Sequence, residues 1–439
     1  MAFFLHGIKL PHKKNTAKCV AVKMNPPATV TILMQMHIGS PALPIVKVGD
    51  KVNVGTLIAG ATKNISANIH SSVSGTVKKI EDVVISNGQA CKSIVIESDG
   101  EMTPDPEIKP PHIDSKESLV EAIANAGIVG LGGAGFPTSV KYDVDETKIE
   151  ELVINGAECE PYITSDTRTM IDRADDMQTA IECIKKHFRI KKIIIGVEKN
   201  NPESIRKMKE LSEADPCIKV KVLPSVYPQG GEKVLVYHTT GKVVPIGKFP
   251  IDVGCIVSNC TTIADIGRYI KTGMPLVEKC VTVDGSAIKT PMNVLVPIGT
   301  KISDVFDFAG GFKSEPYKVI YGGPMMGISV PSMDAPILKN TNAVLAFNKK
   351  DSVLTKSQPC IKCGNCINAC PFGINPPELA RALAEHNVDN MIKFGGEACM
   401  ECGCCAFVCS ANRPLIQNHR LIKAEIRKAK ENKNKEENK

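Results

Sequence analysis

Eight cysteines near the C-terminal end fall in two runs, Cys360-Ile-Lys-Cys363-Gly-Asn-Cys366-Ile-Asn-Ala-Cys370-Pro371 and Cys399-Met-Glu-Cys402-Gly-Cys-Cys405-Ala-Phe-Val-Cys409-Ser410. Both fit C-x2-C-x2-C-x3-C, a spacing that serves paired [4Fe-4S] clusters. Two-residue gaps let a tight loop aim three thiolates at one cubane, while the fourth Cys, carried on a helix turn, reaches the other cluster. The expected ligand sets are therefore crosswise: Cys360, Cys363, Cys366 and Cys409 for the first cluster, Cys399, Cys402, Cys405 and Cys370 for the second. Structural zinc also uses C-x2-C pairs, but it would leave the third and fourth cysteines of each run unexplained. Cys404 lies outside the pattern and is expected to be a bystander.

Between the runs, Pro376-Pro-Glu-Leu-Ala-Arg-Ala-Leu-Ala-Glu385 places Pro at a helix start and leucines at helical spacing, which predicts a helix inserted between the halves of a ferredoxin-type unit. A cluster pair moves single electrons and has no chemistry of its own on organic substrates. The rest of the chain should then supply the electron donor or acceptor.

At 439 residues the chain is long enough for several domains with cores of their own, so its seventeen cysteines are not needed as disulfides. The opening Met-Ala-Phe-Phe-Leu-His-Gly-Ile-Lys-Leu turns polar too soon for a secretory signal peptide. No run approaches the ~20 apolar residues of a membrane-spanning helix. A soluble chain in a reducing, cytosolic compartment is expected. With no Trp and 4% aromatic residues, the stacking platforms of a nucleic-acid binder are missing. Part of the net charge of +7 sits in the tail 423–439, which is expected to be a helix fraying into a basic, disordered end. Its solvated face is one reading and contact with an acidic partner or membrane surface the other.

In the middle of the chain, the β-branched runs 151–154, 192–197 and 219–223 are separated by helical patterns at about 172–188 and 202–213. Such alternation predicts a parallel sheet with crossover helices, whose ligands bind beyond the carboxyl ends of the strands. Two of those ends carry unusual loops, Asn155-Gly-Ala-Glu158-Cys-Glu160-Pro and Tyr227-Pro-Gln-Gly230-Gly231-Glu232. Upstream, Gly130-Leu-Gly132-Gly133-Ala-Gly135-Phe136 contains G-x-G-x-x-G, but it follows a helical pattern over 117–127 rather than a strand. That context rejects an ordinary nicotinamide Rossmann start, and leaves a glycine loop against a phosphate or flat ring, or a tight turn.

Taken together, GLGGAGFPTSVKY (130–142), NGAECEP (155–161), YPQGGE (227–232) and Ser258-Asn259-Cys-Thr-Thr262 resemble the flavin and NADH site of the large flavoprotein subunit of respiratory complex I. Nearly the whole chain resembles the family of C subunits of Rnf ion-translocating NAD:ferredoxin oxidoreductases. The resemblance implies a non-covalent FMN, NAD(H) as substrate stacked over it, and two [4Fe-4S] clusters that drain it one electron at a time. It implies FMN contacts at Gly130, Gly132, Gly133, Gly135, Lys141, Asn155, Glu158, Asn259 and Thr262, and nucleotide contacts at Phe136, Glu160 and Glu232. No side chain need act as acid, base or nucleophile, and Glu160 could equally be a loop residue satisfied by backbone N–H groups. The complex I pattern has Arg where this chain has Leu131 and an acidic residue where it has Gly231.

The implied partners are the other subunits of a membrane-bound Rnf-type complex and, indirectly, ferredoxin, with a peripheral seat on the cytoplasmic face of the membrane. Two other readings stand beside it: a cobalamin reductase of a metabolic microcompartment, and a ferredoxin adaptor without nucleotide activity.

The expected architecture is multidomain α/β. An N-terminal extension (1–27) leads into an all-β barrel-sandwich (28–112), lipoyl-like but with Ser72-Val73-Ser74 where an acceptor Lys would stand. A Rossmann-like parallel-sheet FMN/NADH domain (113–255), a β-grasp (SLBB-like) domain (256–346), a helical two-cluster ferredoxin domain (347–422) and the tail (423–439) follow. His37 and His70 are expected to be satisfied loop histidines, and Met325 and Met326 core or interface fillers.

Overall fold

The computed structural model describes residues 7–63, 65–85, 88–353 and 355–437; the first six residues of the expected extension and the last two of the tail lie outside them. Four strands, Ile218–Leu223, Lys192–Glu198, Glu151–Gly156 and Cys255–Asn259, form a sheet in that spatial order with every pairing parallel. The chain builds outward from 151–156 to 218–223, then returns to the opposite side with 255–259. Ligand crevices in open parallel sheets form at such a reversal. Here it lies between 151–156 and 255–259, where Asn155 and Asn259 are register partners at the carboxyl ends.

Helices Ala174–Phe188 and Cys260–Thr272 pack on each other beside this sheet. Ile181, Ile184 and Phe188 on the first, and Ile263 and Ile266 on the second, are buried in one core with Ile154, Ile193 and Ile256 of the strands. The strand 255–259 and the helix behind it are thus integral to the parallel sheet. The expected domain break at 255/256 falls inside that strand, because its apolar Ile256 and Val257 are needed to cover the sheet.

The barrel-sandwich is built from one antiparallel sheet (Thr29–Leu33, Ala90–Ser98, Gly75–Val84, Lys51–Val52) and a smaller one (Leu43–Pro44, Leu57–Gly60, Ile69–His70). Its core is continuous with that of the parallel-sheet domain: Ile32, Ile58, Ile69 and Ile94 belong to the same buried cluster as Leu119, Ile123 and Leu131. Six strands make the small mixed sheet, in the order Val22–Lys23, Met292–Pro297, Glu278–Asp284, Ala343–Phe347, Lys318–Tyr321 and Ile328–Ser329. Its first strand comes from the N-terminal extension, which runs parallel to 292–297.

The inserted helix expected after the first cysteine run is present as Pro376–Ala384, with Pro at its first turn and Asn375 accepting from Glu378 N–H at 3.3 Å. The tail differs from expectation. Helix Leu415–Glu437 runs unbroken through it among the described residues. Ile422 and Ile426 are buried against Leu379 and Met391, and Lys423 reaches Glu401 at 2.8 Å, so tertiary packing extends a segment that its charge alone would leave frayed. No helix among the described residues is long and apolar enough to cross a membrane.

Candidate functional site

Helix Lys116–Asn125 ends just before the glycine loop, and the loop closes on itself: Gly130 N–H donates to Phe136 O at 2.7 Å and Gly135 N–H to Gly130 O at 3.1 Å. Gly133 and Gly135 have φ of +131° and +69°, conformations that side chains rarely adopt. A Cβ at Gly133 would meet nothing within 4 Å, so this tip faces open space. The tip residues Gly132 and Gly133 are exposed, whereas Leu131, in the place of the complex I Arg, is buried and donates its N–H to Thr262 Oγ1 at 2.9 Å.

Asn259 caps the helix behind the loop, its Oδ1 accepting from Thr261 N–H (2.9 Å) and Thr262 N–H (3.3 Å). A Cβ on Gly132 would lie 3.2 Å from the Asn259 side chain, so loop and helix N-terminus are in contact. Across the crevice, Asn155 donates to Gly230 O at 2.9 Å and accepts from Ala157 N–H. Lys141 donates to Val257 O and to Glu232 Oε1, both at 2.9 Å. Glycine loop, Lys141, Asn155, Glu232, Asn259 and Thr262 therefore ring the switch point. A polar helix N-terminus, a cation and an exposed glycine tip are the donor set that a phosphate-bearing planar cofactor requires.

Two expected contacts are engaged elsewhere. Glu158 is buried, and its carboxylate caps helix Ser165–Asp172, accepting from Asp166 N–H (2.9 Å), Thr167 N–H (3.2 Å) and Thr167 Oγ1 (2.8 Å). That helix has no cap from its own Thr164 side chain, which is the physical reason a carboxylate from the preceding loop is recruited. Through Asp166, which accepts from Asn259 Nδ2 and Thr261 Oγ1 at 2.7 Å, Glu158 supports the crevice from behind.

Glu160, expected at the nucleotide, instead accepts from Met325 N–H (3.1 Å) and Met326 N–H (2.8 Å) of the small mixed domain. This is the loop arrangement left open by the sequence. Burial pushes its pKa up to about 7 against those two donors. Phe136 is half-buried at the far end of the glycine loop.

The cysteines converge in the crosswise sets. One void is lined by Cys370, Cys399, Cys402 and Cys405, and another by Cys360, Cys363, Cys366 and Cys409. Each loop turns at equivalent left-handed residues, Lys362 and Glu401 (φ +57° and +58°) and Gly364 and Gly403 (φ +78° and +86°). Each also places an N–H 3.4 Å from a sulfur: Lys362 on Cys360 and Glu401 on Cys399. Four thiols per void with N–H donors to sulfur fit [4Fe-4S] clusters. Cys404 borders the void of Cys370, Cys399, Cys402 and Cys405, but its thiol is fully buried and turned to the Tyr227 carbonyl at 3.9 Å.

The two voids differ in surroundings. The Cys402 loop packs on the parallel-sheet domain: Tyr227 Oη donates to Cys402 O at 2.6 Å, and a Cβ on Gly231 would strike Met400 Cε at 2.2 Å. Met325 wedges beside Gly403, as an interface filler would. Cys360 and Cys363 are exposed.

Sequence reasoning missed Lys14. Its ammonium donates to the carbonyls of Glu158 (2.7 Å), Glu160 (2.9 Å) and Ile163 (2.5 Å), so the extension clamps the loop after strand 151–156. Nothing in the spacing of the extension signals this contact. His37 and His70 are buried near Lys339. Burial and that cation pull their pKa down to about 4 and about 3, which leaves both neutral.

The fold and site define a modular electron-transfer flavoprotein that joins an FMN-binding parallel-sheet domain to a two-cluster iron-sulfur domain. Residues 123–268 match the Nuo51 FMN-binding domain, 2–101 the RnfC barrel sandwich hybrid domain, 280–329 the SLBB domain and 352–410 the 4Fe-4S dicluster domain. The chain belongs to the RnfC family, the C subunits of ion-translocating ferredoxin:NAD(+) oxidoreductase complexes.

It is 41% identical, over 81% of its length and 78% of the relative's, to the C subunit of the proton-translocating ferredoxin:NAD(+) oxidoreductase complex of Clostridium ljungdahlii. It is 38% identical to the Na(+)-translocating counterpart of Acetobacterium woodii, over 96% of this chain and 97% of that one. The C subunit of the ion-translocating oxidoreductase complex of Rhodobacter capsulatus is 36% identical, over 94% and 81%.

Proposed function

We propose that this chain is the NAD(H)-binding member of a membrane-bound, ion-translocating NAD:ferredoxin oxidoreductase. It exchanges electrons with NAD(H) at an FMN site and relays them singly through two [4Fe-4S] clusters. It sits peripherally on the cytoplasmic face, with the other subunits of the complex as partners and ferredoxin an indirect one. FMN, when bound, supplies the conversion between a two-electron hydride and single electrons.

The protein's own residues do the rest. Gly130, Gly132, Gly133 and Gly135 bring backbone close to the flavin, Asn259 and Thr262 orient a helix N-terminus toward it, and Lys141 and Asn155 fix the opposite wall. Phe136 and Glu232 stand where the nucleotide enters. Glu158 and Glu160 act one step back, holding a helix end and a domain contact. Cys370, Cys399, Cys402 and Cys405 hold the inner cluster, against the flavin domain. Cys360, Cys363, Cys366 and Cys409 hold the outer one, from which electrons pass to and from a partner.

The observation that carries this reading is the gathering of the eight cysteines into two sets of four, one of them tied by Tyr227 to the loop that borders the flavin crevice. The test is anaerobic titration of purified, cluster-replete protein with NADH, following flavin and cluster absorbance together. Flavin bleaching followed by cluster bleaching is expected. Absence of either cofactor, or flavin that NADH leaves oxidised, would overturn the proposal.

A further inference from the structure

We infer that Asn340, together with the Met36–Ile38 loop of the barrel-sandwich, is a positioning element of the flavin site that holds the glycine loop from outside the flavin domain. The inference rests on the reading that this loop lies against the flavin.

The flavin domain fixes the base of the loop through Gly130, Gly135 and the Leu131–Thr262 contact. Two further carbonyls of the loop, those of Gly133 and Gly135, are held by donors from other domains. Asn340 Nδ2 donates to Gly133 O at 2.5 Å, and Ile38 N–H donates to Gly135 O at 3.0 Å. A Cβ on Gly135 would lie 3.3 Å from Asn340 Nδ2 and 3.5 Å from Met36 O, so the three segments are in contact. Because a trans peptide is planar, pinning the Gly133 carbonyl to Asn340 turns the Ala134 N–H to the opposite side. A loop of glycines has the most backbone freedom to lose, so outside ties of this kind decide which way its N–H groups face.

The tie is itself anchored. Lys339 is 1% exposed, and its ammonium donates at 2.6 Å to both Asn68 O of the barrel-sandwich and Gly127 O at the end of the preceding helix. Asn68 in turn donates to Ala124 O at 3.2 Å. Three domains are therefore joined immediately beneath the loop. A lipoyl-like domain without an acceptor lysine acquires a role here: it is the back wall of a site built mainly by its neighbour.

The test compares FMN affinity and flavin midpoint potential in the cluster-replete full chain carrying Asn340→Leu, Asn340→Asp or, as a control for the loop itself, Gly133→Val. Both Asn340 variants remove the donor at a half-buried position while keeping the side chain's approximate shape. They should weaken FMN binding about three- to tenfold, the loss of one hydrogen bond, and shift the flavin potential. Iron content and cluster spectra should stay at the parent level. Parental FMN affinity and potential in both Asn340 variants, with flavin lost from Gly133→Val, would overturn the inference alone. Parental FMN affinity in Gly133→Val would sink the reading of the glycine loop on which it rests.

Discussion

The phenol of Tyr227 donates a 2.6 Å hydrogen bond to the carbonyl oxygen of Cys402, joining the loop after strand 218–223 to the loop that carries the second cysteine run. Tyr227 is 2% exposed, and its own backbone exchanges hydrogen bonds with Ile8, N–H to O at 2.9 Å in both directions. A single residue therefore sits between the flavin crevice, the inner cluster loop and the N-terminal extension. Removing its hydroxyl leaves a carbonyl without its donor in a buried place, which costs about 1–3 kcal/mol.

In Tyr227→Phe, the flavin should still be reduced by NADH, but cluster bleaching should lag it, because the Cys402 loop is no longer held against the flavin domain. Stopped-flow absorbance separates the two phases. Parental lag times would count against Tyr227 as the tie.

The crosswise ligand sets predict different losses for two serine variants. Cys402→Ser should remove the inner cluster and halve the iron content, leaving an outer cluster that NADH reduces slowly or not at all. In Cys363→Ser the inner cluster should still be reduced while delivery to an external one-electron acceptor fails. Iron analysis and low-temperature EPR after NADH addition read both outcomes, and loss of the same cluster in both variants would refute the assignment.

Glu198, at the end of strand 192–198, is 3% exposed with Oε1 lacking a hydrogen-bond partner among the described residues. Burial pushes its pKa from 4.5 up to about 7, with Lys14 opposing and Glu158 adding to the rise. Between those values the folded chain holds more protons than the unfolded one, so this group's contribution is intact below about pH 4.5 and lost as pH rises through 7. Glu198→Gln should therefore stabilise the protein relative to parent by about 2–3 kcal/mol more at pH 8 than at pH 5. Paired denaturant curves at the two pH values check this, and a pH-independent difference would refute it.

Lys14→Met deletes a donor shared by three loop carbonyls, those of Glu158, Glu160 and Ile163. A loss of about 2–4 kcal/mol is expected, since hydrogen bonds from a charged donor exceed neutral ones. The urea midpoint should fall with an unchanged slope.

What the sequence made legible follows from how local each signal is. The cysteine spacing is a local geometric requirement, and it led to sets that the fold brings together. Short β-branched runs and helical patterns located three strands of the parallel sheet, which begin at Glu151, Lys192 and Ile218 against expected starts at 151, 192 and 219. Motif resemblance grouped loops that the fold brings to one end of the sheet, but not the bonds their side chains make. Glu158 and Glu160 are two residues apart in one loop, yet one caps a helix and the other grips the Met325–Met326 backbone. No local pattern separates them, because their partners are donors from distant or non-adjacent segments. The contacts of Lys14, Ile38 and Asn340 are illegible for the same reason. Composition also does not show that the start of the tail is packed, since Ile426 joins Ile422 in a core supplied by earlier helices.

The N-terminal strand has a consequence for the order in which the molecule can be made. Val22 and Lys23 pair with Val294 and Leu295, and Thr16 O accepts from Asn293. On the ribosome the first segment emerges long before these partners, a wait on the order of tens of seconds at ordinary elongation rates. During that interval an extended stretch with exposed backbone must stay unpaired, and the neighbouring barrel can close only without it. The small mixed sheet can therefore close only once residues 292–297 have emerged, so a product truncated before them would be left with a loose, protease-accessible leading segment.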